Sequence, residues 1–195
     1  MTLFILIALT VTLFVYLVRV IQLEGNNPNV FVVVPLVLGI MLTGVMEYQW
    51  SSAVDKGTNL VIYVSGVTNA SLDCQRMMGT FYDWTPDQKA SISTNDPTTV
   101  HMKYAECMDL MSWFNSDKTS DEPTSEQAEA LHLLVFEANK LNKLSDADAE
   151  CKTDKQYVDV AEYGGATPEE AQHMMDMFNS DWQPQLPDSQ KQPCP

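Results

Sequence analysis

Two uncharged apolar runs within the first fifty residues constrain this chain more than any other feature. Leu3 to Val18 carries no charge, and the apolar run continues past Arg19 to Leu23. Val30 to Met46 (VFVVVPLVLGIMLTGVM) is also uncharged. Each is close to the roughly 20 residues that cross a bilayer core of about 30 Å as a helix. Between them lie only Glu24, Gly25, Asn26, Asn27, Pro28 and Asn29, enough to turn the chain and no more. The expected fold is mainly α. A two-helix transmembrane hairpin fills residues 1–50, with helices at about 3–23 and 30–48. A small, acidic, disulfide-tied helical domain with a Pro-rich C-terminal tail fills residues 51–195.

Charge placement sets the expected sidedness. No Lys or Arg precedes Arg19, so the n-region of a signal peptide is missing. Arg19 lies at the loop end of the first run, where it can snorkel to the membrane surface. By the positive-inside rule it puts the loop in the cytoplasm, and both termini and the soluble domain outside the plasma membrane. Glu47 to Thr58 reads as an interfacial exit in which Tyr48 and Trp50 are aromatic anchors. Pro35 and Gly39 are ordinary in a membrane helix, and Gly39 with Gly44 does not form a GxxxG pair.

The whole chain carries a net charge of −15. Arg19, Glu24 and Glu47 give residues 1–50 a net −1, which leaves −14 on residues 51–195. Such a domain repels nucleic acid and anionic headgroups, so the expected partners are the lipid bilayer and other membrane proteins, not DNA or RNA. All four cysteines (Cys74, Cys107, Cys151, Cys194) fall in the soluble part, scattered rather than in CxxC pairs. That pattern favours two disulfides over a metal site and agrees with an oxidising compartment. Three connectivities are open. Cys151–Cys194 with Cys74–Cys107 is preferred because it pins the tail, and four buried free thiols are the alternative. Asn69-Ala70-Ser71 is a glycosylation sequon, relevant only in a eukaryotic secretory pathway.

Helix starts punctuate the domain. Thr85-Pro86-Asp87-Gln88, Thr124-Ser125-Glu126-Gln127 and Thr167-Pro168-Glu169-Glu170 each place a hydroxyl N-cap before residues that satisfy free backbone N–H groups, and Ser145 with Asp148 is a weaker fourth. Helices are expected over 98–114, 125–142, 146–163 and 168–179. Leu60 to Val67 could be a strand. The spacing of Val61, Val64, Thr68, Leu72 and Gln75 or Arg76 prefers a helix running through Cys74 to Met78. Ser116 to Pro123 reads as a polar linker, and the four prolines from Trp182 onward predict an extended end.

Chemistry is sparser. His132, Glu137 and Glu150 draw attention first. A zincin helix carries two His at i and i+4 with a Glu beside the first. Laid around Glu137, that pattern meets Phe136 and Lys140, so the Glu is present and both His are absent. His132 with Glu137 is an i, i+5 pair, a poor metal bite, and His101 and His173 lie in other segments. G-x-S-x-G, Walker A and Rossmann glycine patterns do not occur. A cysteine nucleophile conflicts with the disulfides. Met77-Met78, Met108, Met111, Met174-Met175 and Met177 read as core rather than a soft-metal site. Asp117, Asp121 and Glu122 lack EF-hand spacing.

The stretch Glu126 to Cys151 (EQAEALHLLVFEANKLNKLSDADAEC) resembles a family of actinobacterial membrane-anchored extracytoplasmic proteins, many with HExxH on an Ala- and Leu-rich helix. A segment like Ser145-Asp146-Ala147-Asp148-Ala149-Glu150-Cys151 follows in that family, and the terminal Cys-Pro is similar too. With Phe136 and Lys140 at the histidine positions, the resemblance implies a degenerate zincin-like domain without catalytic residues, metal or cofactor. Glu137 is then a helix-surface carboxylate paired with Lys140. The two-helix anchor, the acidic disulfide-tied domain and the missing catalytic constellation point to a non-catalytic accessory subunit of a larger membrane complex, with the cytochrome bcc–cytochrome c oxidase supercomplex as the partner that shape and family suggest. A membrane-bound hydrolase, zinc-dependent or using Glu137 and Glu150 as acid and base, is the enzyme alternative. A cell-envelope sensor is the third reading.

Overall fold

The computed structural model describes residues 2–20, 30–76, 88–118 and 120–187. The element order is α1 (Thr2–Val18), α2 (Val30–Ser65), β1 (Ser71–Cys74), β2 (Ala90–Ser93), β3 (Asp96–Met102), α3 (Tyr104–Asn115), α4 (Ser125–Lys140), α5 (Asp146–Tyr163) and α6 (Pro168–Met177). A π turn (Phe178–Trp182) and a 3-10 turn (Gln183–Gln185) follow. The protein is mainly helical, as its capping residues predict. The loop at 24–29, the cap at Thr85-Pro86-Asp87, Met77, Met78 and Cys194 lie outside the described residues.

The chain divides into two units, Met1–Ser51 and Ser52–Pro195, with the division inside α2. The first unit contains no charged side chain in the first or last turn of α1, and its large apolar side chains, among them Phe14, Leu38, Met41 and Leu42, are exposed. Within it, Leu9 lies against Gly39, where an added Cβ would stand 3.2 Å from Leu9 Cδ1. Thr12 and Thr43 return their hydroxyls to the backbone carbonyls of Ala8 and Gly39, so neither leaves an unsatisfied polar group on an apolar helix. By length and composition, Val32–Ser65 is long and apolar enough to cross a membrane, and Ile7–Val18 is a shorter apolar helix.

Four local expectations are corrected. The helix expected to end at about 48 continues as α2 to Ser65, burying Leu60, Val61 and Val64 in the second unit. It does not run on through Cys74: Gly66 takes φ +70°, a conformation only glycine adopts cheaply, and Ser71–Cys74 is strand β1. The expected 98–114 helix begins only at Tyr104, since Asp96–Met102 is β3. β3 is central in a three-stranded sheet of order β1-β3-β2, parallel to β1 (Leu72 opposite Val100) and antiparallel to β2 (Ile92 opposite Val100). Gln183–Gln185 is a 3-10 turn rather than extended chain.

The core of the second unit gathers Leu60, Val100, Met102, Trp113, Leu131, Leu134, Tyr157, Met174 and Phe178. Cys74 and Cys107 form a disulfide joining β1 to α3. Cys151 is disulfide-bonded as well. The α4–α5 contact is keyed by polar groups: Asn139 donates to Thr153 Oγ1 at 3.1 Å, and Tyr157 donates to the Ala128 carbonyl at 3.0 Å.

Two glycines separate rigid from yielding neighbours. A Cβ on Gly164 would sit 2.5 Å from Trp113 Cη2, inside a buried ring that cannot turn aside. Gly164→Ala is expected to cost about 1–3 kcal/mol by overpacking. A Cβ on Gly57 would sit 2.4 Å from Leu72 Cδ2, the end of a flexible side chain. Gly57→Ala also gains up to about 1 kcal/mol of helix propensity, so its thermal midpoint should fall much less. Thermal melts of the two variants followed by circular dichroism check the contrast.

Candidate functional site

The site begins with two well-capped helices. Thr124 and Gln127 form a reciprocal capping box at the start of α4, and Ser145 caps α5 by accepting from the Asp148 N–H. α4 is then buried almost all round from Gln127 to Asn139, which carries His132 and Glu137 inside. α5 places Glu150 and Asp154 one turn apart on one face.

These two helices bring His132, Glu150 and Asp154 together. His132 Nε2 lies 3.0 Å from Glu150 Oε1 and 4.0 Å from Asp154 Oδ1. The three side chains offer donor atoms that all lie within 4.8 Å of one another. The His132 and Glu150 side chains are 2% and 5% exposed, and that of Asp154 is 25% exposed. The 3.0 Å approach lacks the alignment of a hydrogen bond. His132 Nε2, both Glu150 carboxylate oxygens and Asp154 Oδ1 are buried without a hydrogen-bond partner among the described residues. Burial raises the pKa of Asp154, and the Glu150 carboxylate raises it further, against the opposing pull of His132. The His132 ring is stacked on Phe178 at 3.7 Å between centroids, which fixes its plane. His132 and Glu150 open onto a cleft of about 540 Å³ whose walls include Leu133, Phe136, Phe178 and Trp182.

Glu137 also faces this cleft and is not the surface carboxylate expected of it. It is buried, and burial holds its pKa above the usual carboxylate range, with Asp146 adding to the rise and Lys140 opposing it. Lys140 stands 3.1 Å from Asp146, 3.9 Å from Glu137 and 5.2 Å from the Phe136 ring centroid. The histidine that reaches a ligand cluster is His132. A zincin pattern read from it meets Leu133 at the base position and Phe136 at the second-ligand position. The cluster can hold a cation or a proton, but neither helix frame supplies the general base and paired histidines of that hydrolase class.

Elsewhere, Asp73, His101 and Ser91 stand in register across the three strands, with Asp73 Oδ2 at 3.0 Å from His101 Nδ1. No hydrogen bond joins Ser91 to His101 Nε2, so the row is not an assembled nucleophile triad. His173 is exposed on α6. Asp121 accepts from the Asp117 backbone N–H at 2.9 Å, and Glu122 is exposed. Tyr48 is exposed on α2 and Trp50 is half-buried. Asp154 and Phe178 went unrecognised in the sequence. The only available signal was the i, i+4 spacing of Glu150 and Asp154.

The polar linker hides a structural lysine. Lys118 Nζ donates to the Trp113 carbonyl and, at 2.8 Å, to Ser116 Oγ, and it lies 4.2 Å from the Trp113 ring centroid. Burial lowers its pKa to about 8, outweighing the Glu170 carboxylate 3.7 Å away. The unfolded chain, with a lysine pKa of about 10.4, therefore holds the proton more firmly than the folded one. Stability should rise with pH above about 8 as folded Lys118 gives up its charge. In melts from pH 7.5 to 9.5, Lys118→Met should lack this increment.

Comparison with family models, curated proteins and solved structures returns no match to this chain.

Proposed function

We propose that the protein is a membrane-anchored, non-catalytic accessory subunit of a larger membrane complex. In this reading α1 and the apolar part of α2 form a two-helix hairpin whose loop faces the cytoplasm. The disulfide-bonded domain lies on the extracytoplasmic face of the plasma membrane. The observation that carries it is the pairing of two features in one chain. The first unit exposes an apolar surface suited to lipid or partner helices, and the best-organised polar cluster of the second lacks hydrolytic partners at Leu133 and Phe136. The Cys74–Cys107 disulfide supports an oxidising compartment. The net −14 beyond residue 50 supports docking against a basic partner face. The actinobacterial bcc–oxidase supercomplex is the partner suggested by the resemblance around Glu126 to Cys151.

Native electrophoresis of membranes solubilised in mild detergent tests this reading. The tagged protein should migrate within a high-mass assembly and fall to its own size in harsh detergent. Migration at its own size in both detergents would contradict a subunit role. Protease added to intact spheroplasts should digest the domain, and full protection would overturn the sidedness.

A further inference from the structure

We infer that the helical domain carries a divalent transition-metal site formed by His132 Nε2, a Glu150 carboxylate oxygen and Asp154 Oδ1. This inference is independent of the accessory-subunit reading, because it rests on the interior of residues 52–195 alone.

The argument starts from cost. Two carboxylates and an imidazole within 4.8 Å of one another, two of them almost wholly buried, leave four buried polar atoms without hydrogen bonds. Each such atom forfeits its hydration for nothing unless a cation, a proton or a bridging water sits among them. A proton on Nε2 would have to point at a carboxylate oxygen, yet at 3.0 Å from Glu150 Oε1 the ring nitrogen is not aligned as a donor. A proton carried by one of the two carboxylates is the competing occupant, and metal binding separates the two. Three donor atoms within 4.8 Å of one another are close enough to share one ion. Two ligands on a tetrahedral zinc stand about 3.3 Å apart, given bonds of about 2.0–2.1 Å. The separations of 3.0 and 4.0 Å bracket that spacing.

The donor set also selects the ion. One imidazole with two carboxylates suits Zn²⁺, Mn²⁺ or Fe²⁺ rather than a soft ion. Cys151, next to Glu150, is tied in a disulfide and offers no thiolate. A dication would balance the two carboxylate charges that burial otherwise penalises. The set is held as a metal site must be: the ring is stacked on Phe178, and α4 and α5 are keyed by Asn139 and Thr153. The cleft beside His132 and Glu150 gives an ion its route in. With three protein donors the coordination is open, and the remaining position belongs to water or a ligand in the cleft. With Leu133 and Phe136 as neighbours, the ion serves structure or ligand binding.

The test uses the full chain in detergent, stripped with EDTA, dialysed against ZnCl2 or MnCl2, and assayed for bound metal by plasma mass spectrometry. Wild type should retain about one ion per chain and gain thermal stability on metal addition. Asp154→Asn, at the more accessible ligand, and Glu150→Gln should each bind at least tenfold more weakly and show no metal-dependent rise in Tm. Unchanged circular dichroism in Asp154→Asn separates lost ligation from lost fold. Wild type that retains no metal, or a Tm indifferent to both EDTA and metal, would overturn the site and leave a buried His–carboxylate ion cluster. Equal retention by the folded Asp154→Asn variant would place the metal elsewhere and overturn it as well.

Discussion

Trp113→Ala is expected to destabilise the helical domain by about 3–5 kcal/mol, the range for emptying a fully buried aromatic site. More than packing is lost. The indole N–H donates to Glu170 Oε1 at 3.2 Å, the ring faces Lys118 at 4.2 Å, and it packs against Phe114 at 5.0 Å. Without the indole, the buried Glu170 carboxylate loses its donor, and Lys118 loses the ring beside it. The value should therefore fall in the upper half of that range, a drop in Tm of about 10 °C or more for a domain of this size. Trp113→Phe keeps most of the volume but not the N–H, and should recover more than half of the loss. Melts followed by near-ultraviolet circular dichroism check both. A Trp113→Ala midpoint within 3 °C of wild type would show that the ring is not the centre of this core.

Removing the Cys74–Cys107 bond should cost nearly as much. It closes a loop between residues 33 apart in sequence, for which loop-closure entropy gives about 4 kcal/mol. The bond also ties β1, a four-residue strand, to α3, and a strand that short has little else to hold its register. The double variant Cys74→Ser/Cys107→Ser should melt well below wild type under oxidising conditions. Excess dithiothreitol should bring wild type down toward the variant. If reductant leaves wild type unchanged while the double variant melts low, the serine side chains rather than the lost cross-link are responsible.

The residues that were legible in the sequence act locally. Thr124 with Gln127, Ser145 with Asp148, and Thr167 before Pro168 mark helix starts because a cap is decided within four residues, and the structure uses all three. The Cys74–Cys107 pair was also readable. The sheet was not, because Ser71–Cys74 becomes a strand only by pairing with Thr99–Met102, far along the chain. Two signals were present: Gly66, a ready helix stop, and the β-branched run Thr98-Thr99-Val100. Glu137 shows a different limit. A carboxylate beside Lys140 reads as solvated, and only packing on both sides of α4 reveals that it is buried. The candidate site divides in the same way. His132 and Glu150 stand out by residue type, but their meeting depends on how α4 packs on α5, and Asp154 acquires meaning only from that contact.

The central claim is membership of a membrane assembly, and affinity purification from mild-detergent membranes tests it most directly. The tagged full chain should retain stoichiometric integral-membrane partners in mass spectrometry. If the resemblance around Glu126 to Cys151 reports the right complex, those partners are cytochrome bcc and oxidase subunits, with their haem absorbance in the eluate. Recovery of the protein alone, folded and at its own size, would contradict the account.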